Sequence, residues 1–459
     1  MKLTLIGGGG VRSPLFVTSA LQRCERINLD EICLMDVNAE KLSIIGKLCQ
    51  YIVERDASPV KITLTADPRE AIEDAAYVVS SVRVGNEQGR VFDEKIALRH
   101  GVLGQETTGP GGFAMALRSI PVILEYARLI KEINPQAWMF NFTNPAGLVT
   151  QALRDAGYEK TVGICDGANL AQHAIANWLS QDYHNAKAEV YGLNHLSWTR
   201  AVTIGDREVL CDLLQNKDFI SSSEMQVFEP GLIEAMDIWL NEYLYYYYYA
   251  EQAVERIQSD GLTRGEEILV LNERLLEQLK EIDINVNPEK ALKTYYAYEK
   301  RRTSTYMHYA RPDGLEMDEA DQHIQDAEIV DTAGEGYAGV ALDIIEAFES
   351  NKPTHIALNV PNEDAINCMR FDDVVEIGCL VNAKGIHPLP IGDIPEGHEL
   401  LMRSVKYYER LTVEAVRDRS RKKAIMALMA HPLVVSYSLA KILVDEYLKA
   451  HAEYIGEWR

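Results

Sequence analysis

The chain has 459 residues, 47% of them hydrophobic and 25% charged, and a formal net charge of −23. This length exceeds what one ordinary hydrophobic core accommodates, so we expect two domains. The negative charge argues against nucleic acid or an anionic membrane as a partner, and no apolar run of about 18 residues predicts a transmembrane helix. Seven cysteines without a C-x-x-C pair, in a chain that opens directly on a strand, favour a cytoplasmic protein without a signal peptide.

The first 36 residues predict a βαβ unit that binds a dinucleotide. The apolar run Lys2–Ile6 is followed by four glycines, by a helical pattern over residues 15–23, and by a second apolar run that ends on Asp36. The glycines are Gly7, Gly8, Gly9 and Gly10. Such glycines let the backbone approach a pyrophosphate at the helix N-terminus, and an acid after the second strand can bind the ribose hydroxyls. The motif is not a strict G-x-G-x-x-G, so a tight turn without a ligand is the alternative.

Strand and helix patterns continue to alternate up to residue 165. A helical pattern at Ala39–Arg55 precedes strand-like runs at Lys61–Thr65 and at residues 77–82, 137–141 and 161–165. This alternation predicts an α/β fold, with an N-terminal Rossmann-like doubly wound sheet over residues 1–188. Ligands bind such sheets beyond the carboxyl ends of the strands, so the residues that follow each strand are the candidates for a site.

A different pattern begins at residue 189 and predicts a C-terminal α+β domain over residues 189–459, for substrate binding and oligomerisation. Strand-like runs at residues 190–198 and 200–204 come first, and helices are predicted over residues 232–258, 264–280, 288–303 and 331–350. Strand-like runs at residues 354–360 and 374–381 precede further helices from residue 400 onward. The apolar C-terminal helices, together with the Gly/Ala-rich helix over residues 331–350, favour a homodimer or homotetramer.

Cys165 and His195 are candidate metal ligands. Cys165 ends a predicted strand, and His195 follows 30 residues later, inside Gly-Leu-Asn-His. A thiolate and an imidazole can hold a divalent cation, but this separation matches no recognised zinc spacing. On the residues alone a buried, inert cysteine is the simpler interpretation, because free cysteines are among the most buried residues.

Three further residues are candidate ligands of a substrate. Arg90 and Arg264 can grip a phosphate, because a guanidinium binds it bidentately. Asn144 precedes Pro145 at the predicted start of a helix, so Thr143 or Asn144 is predicted to cap that helix, although the amide of Asn144 could equally face a sugar. A glycine-rich loop over residues 104–112 precedes a helix that is predicted to start near Phe113.

Tyr243 is not singled out by local pattern. It stands two residues before a run of five tyrosines at residues 245–249. On a helix such a run points in all directions, so its members cannot all line one site.

Taken together, these stretches resemble glycoside hydrolase family 4, the NAD- and Mn2+-dependent 6-phosphoglycosidases, and are most similar to its 6-phospho-β-glucosidases. The likeness covers nearly the whole chain. Besides the N-terminal glycines, the motifs that carry it are RHGVLGQETTGPGG at residues 99–112, NFTNPAG at 141–147, GICD at 163–166, GLNH at 192–195, YYERLTVEA at 407–415 and AHPLV at 430–434.

The resemblance implies a role for each candidate residue. Cys165 and His195 would hold Mn2+, which replaces the inert interpretation of Cys165. The sugar phosphate would be contacted by Arg90, Asn144 and Arg264. Tyr243 would be the catalytic base, with Glu106 raising its basicity, and Asp166 would be a general acid. NAD would be held by Gly7, Gly8, Gly9, Gly10 and Asp36.

The implied reaction differs from the usual two-carboxylate route of glycosidases. NAD+ would take hydride from sugar C3, the metal would polarise the resulting ketone, and Tyr243 would remove the acidified C2 proton. The aglycone would leave by β-elimination, water would add, and the reduced cofactor would return its hydride to C3. Such a step needs a cation beside the enolate and a base whose pKa lies below the value of about 10 of free tyrosine.

Three positions depart from the family pattern. Gly10 stands where relatives usually have serine, and Arg12, two residues later, would lie near the cofactor phosphates or point to solvent. Within the family, an aspartate such as Asp166 accompanies phospho-α-glucosidases, whereas Thr107-Thr108 and residues 263–267 are similar to the β-type members. Tyr245 stands where relatives often have arginine, which weakens the case for a 6-phosphate on the sugar.

The expected function is hydrolysis of a 6-phospho-β-glucoside, either a phosphorylated disaccharide or an aryl glycoside. Within the family, the alternatives are a 6-phospho-α-glucosidase or an unphosphorylated α-glycosidase. An NAD-dependent 2-hydroxyacid dehydrogenase is an alternative of another class, because it shares the opening βαβ unit. Such enzymes need no metal, however, so Cys165 and His195 in their family context argue against this alternative. A further alternative is a regulatory protein that binds NAD and catalyses no reaction.

Overall fold

The computed structural model describes residues 1–310 and 336–459. Its strands are β1 (Lys2–Ile6), β2 (Glu31–Met35), β3 (Lys61–Thr65), β4 (Ala75–Ser80), β5 (Trp138–Asn141), β6 (Thr161–Gly163), β7 (Ala186–Leu193), β8 (Leu196–Ile204), β9 (Arg207–Glu208), β10 (Trp239–Leu240), β11 (Thr354–Pro361), β12 (Val374–Asn382) and β13 (Gly385–Pro388). The helices of the first half are α1 (Ser13–Leu21), α2 (Ala39–Arg55), α3 (Pro68–Ile72), α4 (Asn86–Arg99), α5 (Pro110–Ile133), α6 (Ala146–Asp155), α7 (Leu170–Trp178), α8 (Leu210–Leu214) and α9 (Lys217–Ser221). Those of the second half are α10 (Pro230–Met236), α11 (Tyr245–Tyr248), α12 (Ala250–Ser259), α13 (Arg264–Glu281), α14 (Pro288–Ser304), α15 (Tyr337–Ser350), α16 (Glu396–Asp418), α17 (Arg421–Ala430), α18 (Tyr437–Ala450) and α19 (Ala452–Ile455).

The large sheet confirms the predicted α/β fold. Over the described residues it has nine strands in the order β13-β12-β11-β6-β5-β4-β1-β2-β3. The six strands from β6 to β3 are parallel neighbours, and their order is that of a Rossmann-type doubly wound sheet. Strands β1 and β4 are mostly apolar and almost entirely buried, because helices cover both faces of a parallel sheet. The strand order reverses between β1 and β4, where ligands bind in this fold.

The second half of the chain extends this sheet and adds another. Strands β11, β12 and β13 pair antiparallel to one another, and β11 joins the parallel part where Asn359 pairs with Gly163 of β6. Strands β7, β8 and β10 form a separate antiparallel sheet, to which β9 is attached. The C-terminal part is therefore α+β, as predicted. The division at residues 188 and 189 stays a prediction, since the large sheet takes strands from both sides of it.

Most of the predicted elements agree with the structure. The bounds of α2 and β3 are those predicted, and α13 and α14 end one residue beyond their predicted limits. The helix predicted near Phe113 begins at Pro110. The helix predicted over residues 331–350 corresponds to α15, while residues 331–335, including Ala333 and Gly334, lie outside the described residues. Across residues 1–310 and 336–459, no helix combines the length and the apolar character needed to cross a membrane.

The single helix predicted over residues 232–258 is wrong. The backbone of Asp237 is left-handed, with φ of 47°, and ends α10. Trp239 and Leu240 then pair with β8 and are buried against it. The side chain of Asn241 next accepts a bond from the Tyr243 amide and begins the 3-10 turn Glu242–Leu244. Pairing with a distant strand outweighs the helical periodicity of this segment.

A buried ion pair joins α15 to the N-terminal half. The Arg23 guanidinium, two residues beyond α1, pairs with the Asp343 carboxylate, and the two side chains are only 7% and 4% exposed. The Tyr183 hydroxyl lies 3.0 Å from each carboxylate oxygen. Burial favours the neutral acid, but His184 and Arg23 outweigh it and lower the pKa of Asp343 below its ordinary value. The two buried charges therefore compensate each other, and Glu346 at 3.8 Å from Arg23 is a further, more distant carboxylate.

We expect Asp343→Asn to lower the free energy of unfolding by about 3–5 kcal/mol, because it leaves Arg23 buried without its carboxylate. Glu125→Gln is the matched control, since Glu125 pairs with Arg128 at an exposed position and should leave stability nearly unchanged. Urea titrations followed by circular dichroism measure both variants. Equal stability of the two would contradict the assignment.

Candidate active site

A cavity of about 2300 Å³ opens at the carboxyl ends of the parallel strands. Ordinary small-molecule sites measure about 300–1000 Å³, so it has room for a dinucleotide beside a second ligand. All but one of the candidate residues line it, and these are Gly7, Gly9, Gly10, Asp36, Arg90, Glu106, Asn144, Cys165, Asp166, His195, Tyr243 and Arg264. Residues that are far apart in the chain thus meet in one place.

The glycine turn after β1 is shaped by close backbone contact. The φ of Gly7 is +94°, and an added Cβ would lie 2.3 Å from the carbonyl oxygen of Ser81. Gly8 is the exception among the four glycines: it does not line the cavity, and an added Cβ would lie 2.7 Å from the Cβ of Leu34. Because Gly8 has no side chain, its backbone can pack closely against Leu34 of β2. The turn leaves Gly9 and Gly10 at the cavity wall, where a pyrophosphate can approach the backbone.

Asp36 is held rigidly at the end of β2. One carboxylate oxygen accepts the Gly9 amide at 3.0 Å, and the other accepts the Asn38 amide at 2.8 Å. The carboxylate therefore stands beside the glycine turn on the cavity wall. That is the place from which an acid binds the ribose hydroxyls of a dinucleotide.

Cys165 and His195 are in direct contact. The Cys165 Sγ lies 3.3 Å from the His195 Nε2, and the His195 Nδ1 lies 2.8 Å from the Oγ1 of Thr107. Cys165 comes two residues after β6, and His195 occupies the tight turn between β7 and β8 with φ of 62°. Burial raises the pKa of the Cys165 thiol, and the charge of Asp166 adds to the rise. Burial also lowers the pKa of His195 to about 4, so its imidazole is neutral, the form that binds metals.

This pair fits a divalent cation that has two protein ligands. Metal–sulfur and metal–nitrogen bonds of about 2.3 and 2.1 Å place the two ligand atoms about 3.1–3.6 Å apart. The Oγ1 of Thr107 donates its proton to Gln105 Oε1 and can therefore accept the Nδ1–H of His195, which orients the imidazole and leaves Nε2 free for a metal, as partners of metal-binding histidines do. In the part of the chain that the structure describes, no group of three or more His, Cys, Asp or Glu side chains could hold a metal. The remaining coordination positions would therefore face the cavity and its ligands.

The Tyr243 ring stacks on His195, with ring centroids 3.7 Å apart and an angle of 9° between the planes. Burial raises the pKa of the Tyr243 hydroxyl well above its ordinary value, and the charges of Glu242 and Glu106 raise it further. Glu106 thus acts in the direction that the resemblance implied. The expected pKa below about 10 applies to Tyr243 beside a bound cation and stays a prediction. Burial and the nearby carboxylates by themselves favour the neutral phenol.

Glu106 lies between two arginines. Its Oε2 accepts a bond from Arg83 at 2.6 Å and lies 3.2 Å from the Nη1 of Arg90. Burial favours its neutral form, but the two guanidinium groups outweigh this and lower the pKa of Glu106 to about 2. A second carboxylate, Glu94, accepts the Nε of Arg90 at 2.7 Å. Glu106 is therefore a permanent negative charge in the cavity wall.

Arg264 lies at the start of α13 and is fixed by three partners. Its Nη1 donates to Glu267 and to Thr305 at 2.6 Å each, and its Nη2 donates to the carbonyl of Arg302 at 2.7 Å. Arg302 and Arg83 also line the cavity, although the sequence patterns singled out neither. The basic residues at the end of α14 were a signal for Arg302, but basic side chains in the last turn of a helix also favour the helix dipole without any ligand.

The predicted cap of α6 by Thr143 or Asn144 is wrong. The helix begins at Ala146, and Pro145 precedes it without any side-chain cap. The Oγ1 of Thr143 instead accepts the Val82 amide at 3.1 Å, which ties this loop to the end of β4. Asn144 is thereby placed on the cavity wall. A tertiary bond between two strand ends has replaced the local capping bond.

Arg12 and Asp166 share one side of the cavity. Burial favours the neutral form of Arg12, but Glu299, Tyr337 and Asp166 outweigh it and raise its pKa. Arg12 therefore does not point to solvent, which was one of its two expected positions. The Asp166 Oδ1 lies 3.9 Å from the Cys165 Sγ, so a titratable carboxyl group stands directly beside the candidate metal site.

These features together define a class of protein. A Rossmann-type sheet presents a glycine turn and an acid to the same cavity as a cysteine–histidine pair and a buried tyrosine. The fold and the site are those of a dinucleotide-binding enzyme with a place for a metal ion.

The chain belongs to family 4 of the glycosyl hydrolases. The model of the family 4 glycosyl hydrolases matches residues 2–181, and that of their C-terminal domain matches residues 190–434. The chain is 31% identical to the probable 6-phospho-beta-glucosidase of Bacillus subtilis, over 100% of this chain and 98% of that protein.

Solved structures agree with this assignment. The 6-phospho-beta glucosidase of Thermotoga maritima, solved with manganese, NAD+ and glucose-6-phosphate, has a TM-score of 0.81 and 29% identity, over 99% of each chain. A 6-phospho-alpha-glucosidase from gut microorganisms, solved with NAD and Mn2+, has a TM-score of 0.80. Its identity is 23%, over 100% of this chain and 99% of that one, and this likeness shows the fold alone.

Asp36→Ala should weaken NAD+ binding about 10- to 100-fold, because it removes charge-assisted bonds worth about 1.5–3 kcal/mol. Asp67→Ala is the control, since Asp67 caps the short α3 at an exposed position and does not line the cavity. Isothermal titration of NAD+ into both variants measures the effect. Wild-type affinity in Asp36→Ala would contradict the dinucleotide assignment.

Proposed function

We propose that this protein hydrolyses 6-phospho-β-glucosides with NAD and Mn2+ as cofactors. One observation carries the proposal: the Cys165–His195 pair, the glycine turn and Tyr243 face the same cavity. The relatives named 6-phospho-beta-glucosidase match this chain from end to end, and one of them was solved with both cofactors. Membership in this family replaces the dehydrogenase and regulator alternatives.

Each residue has a proposed part in the reaction. Cys165 and His195 hold the metal ion, while the glycine turn and Asp36 hold the dinucleotide. When bound, the two cofactors supply Lewis-acid and hydride-transfer chemistry at the sugar. Tyr243 would accept the proton from sugar C2 as a phenolate, after its own hydroxyl proton is lost beside the bound cation. Glu106 and Glu242 increase its affinity for that proton, and a cation at the neighbouring pair is the group that offsets them.

The sugar phosphate is proposed to bind on the arginine side of the cavity. The family pattern implies three ligands, Arg90, Arg264 and Asn144. Arg302 lies next to Arg264, because its backbone carbonyl accepts a hydrogen bond from the Arg264 guanidinium. Arg83, Arg90 and Arg264 each pair with a carboxylate as well, so this wall offers a dianion guanidinium donors rather than an excess of positive charge. The substrate class is therefore a phosphorylated disaccharide or an aryl 6-phosphoglucoside.

A second candidate is a 6-phospho-α-glucosidase. Asp166 favours it, because this carboxyl group lines the cavity beside Cys165, where a general acid can reach a leaving group. Relatives named 6-phospho-alpha-glucosidase also match the chain over nearly its full length, at 26–28% identity.

We also propose that the protein forms a homodimer or a homotetramer. The C-terminal helices expose several large apolar side chains on α16, α17 and α18, and a partner that covers them would remove apolar surface from water. These side chains are Leu400, Tyr407, Met426, Met429, Tyr437 and Ile442.

Release of p-nitrophenol from the α- and β-glucosides, each with and without a 6-phosphate, tests the substrate directly. The assay contains NAD+, Mn2+ and a thiol reductant, and each is omitted in turn. We expect turnover of the 6-phospho-β-glucoside alone, and only with both cofactors. Turnover of the α-anomer would favour the second candidate and make Asp166 its general acid. Failure of all four substrates with both cofactors bound would refute the phosphoglucosidase proposal.

Cys165→Ser should abolish Mn2+-dependent turnover and leave NAD+ binding intact, because a serine hydroxyl is a poor substitute for a thiolate ligand. Cys211→Ser is the control, since that cysteine is exposed and outside the cavity. Initial rates against Mn2+ concentration, together with NAD+ titrations, give both quantities. Full activity in Cys165→Ser would refute the metal assignment.

A further inference from the structure

We infer that Glu376 is a positioning residue of the active site. Its carboxylate fixes the turn that carries the metal ligand His195 relative to the turn that carries Tyr243. Glu376 lies on β12, belongs to none of the motifs of the sequence, and does not line the cavity. The inference rests on the proposed function, because that function supplies the roles of His195 and Tyr243.

The sheet register places Glu376 behind the metal site. Glu376 of β12 pairs with Asn359 of β11, which in turn pairs with Gly163 at the end of β6. Cys165 follows Gly163 by two residues. Three neighbouring strands therefore align the carboxylate with the end of the strand that carries a metal ligand, and only 1% of Glu376 is exposed.

One branch of hydrogen bonds leads from Glu376 to His195. The Oε1 of Glu376 accepts the amide Nδ2 of Asn194 at 3.1 Å and that of Asn359 at 3.0 Å. Asn194 is the residue directly before His195, in the turn where the His195 backbone is left-handed. The side-chain oxygen of Asn194 also accepts the Gly147 amide at 3.4 Å, at the start of α6. The carboxylate thereby fixes the turn that presents the imidazole.

The other branch leads from Glu376 to Tyr243. The Oε2 of Glu376 accepts the hydroxyl of Ser197 at 3.0 Å, and that hydroxyl accepts the Nδ2 of Asn241 at 3.2 Å. The side-chain oxygen of Asn241 then accepts the backbone amide of Tyr243 at 3.0 Å. The turn that carries the catalytic base is thus connected to the same carboxylate as the metal ligand.

The chemistry of Glu376 suits positioning better than stabilisation. Its three hydrogen-bond partners are two amides and a hydroxyl, none of them cationic, so the buried charge is costly for the fold. Burial raises the pKa of this carboxyl group to about 7, although the three donors oppose the rise. An ionised carboxylate only accepts hydrogen bonds, and it satisfies three converging donors that an amide could not all satisfy.

Glu376→Gln and Ser197→Ala test the two branches in the full chain at pH 8, on the substrate that the wild type hydrolyses. In Glu376→Gln we expect kcat to fall about 10- to 100-fold and the affinity for Mn2+ to fall by a similar factor, as when partners of metal ligands are lost. NAD+ affinity should be unchanged. In Ser197→Ala only the Tyr243 branch is cut, so kcat should fall while KM and Mn2+ affinity stay at wild-type values.

Two readouts separate positioning from a structural role. A misplaced base slows only the removal of the C2 proton, so the isotope effect on kcat with C2-deuterated substrate should increase in both variants. Asp373→Asn is the matched control: Asp373 is a buried carboxylate one residue before β12 and pairs with Arg410 at 2.6 Å, away from the cavity. It should lower the melting temperature without changing kcat, the isotope effect or Mn2+ affinity.

Wild-type kcat and Mn2+ affinity in Glu376→Gln would overturn the inference, and so would an equal loss of kcat in Asp373→Asn. If Glu376→Gln does not fold, Ser197→Ala decides, since wild-type kcat in that variant would overturn the inference alone. Mn2+ binding, measured by electron paramagnetic resonance, does not depend on turnover. If the wild-type enzyme hydrolysed none of the substrates, the proposed function would be refuted. The Mn2+ measurement would still test the His195 branch in that case.

Discussion

The antiparallel pairing of β11 with β6 is the contact on which the site depends. It attaches the C-terminal strands to the edge of the Rossmann-type sheet at Asn359 and Gly163, directly before the strand end that carries Cys165. Without it, the two parts of the chain would be joined only by loops and helices. With it, β12 lies two strands from β6, and β7 packs close enough to bring His195 to within 3.3 Å of Cys165. The contact between Cys165 and His195 therefore depends on the C-terminal strands that extend the sheet.

Burial sets the protonation states in the cavity, and charge pairs modify them. It keeps the His195 imidazole neutral, retains the protons of Cys165 and Tyr243, and would also protonate Glu106 if two arginines did not oppose it. A cation at the cysteine–histidine pair would favour loss of the protons on Cys165 and Tyr243 together. The candidate metal ligands and the candidate base therefore lie in one electrostatic environment, where a single positive charge would act on all of them.

One wall of the cavity gathers arginines in a chain whose net charge is negative. The net charge of −23 excludes most polyanionic partners, yet four arginines line this one wall: Arg83, Arg90, Arg264 and Arg302. Three of them are fixed by carboxylates or by backbone carbonyls, so they keep their orientation without a ligand. These guanidinium groups can therefore bind a small dianion locally while large polyanions are repelled from the surface.

The sequence by itself determined the elements whose signals are local. The apolar run, glycine turn and Asp36 predicted the dinucleotide half, and the bounds of α2 and β3 followed from hydrophobic periodicity. The motifs of the family also pointed to twelve of the residues that line the cavity, although they missed Arg83 and Arg302. Such features are readable because neighbours within about one helical turn or one strand decide them.

Tertiary structure decided the rest. Trp239 and Leu240 form a strand, not the predicted helix, because they pair with β8. Thr143 does not cap α6, because its hydroxyl oxygen accepts the backbone amide of Val82. The high pKa of Tyr243 follows chiefly from burial in the folded protein, and Glu376 contacts Asn194, which lies 182 positions earlier in the chain. No local pattern records these contacts, because each depends on where two separate segments are placed by the sheet.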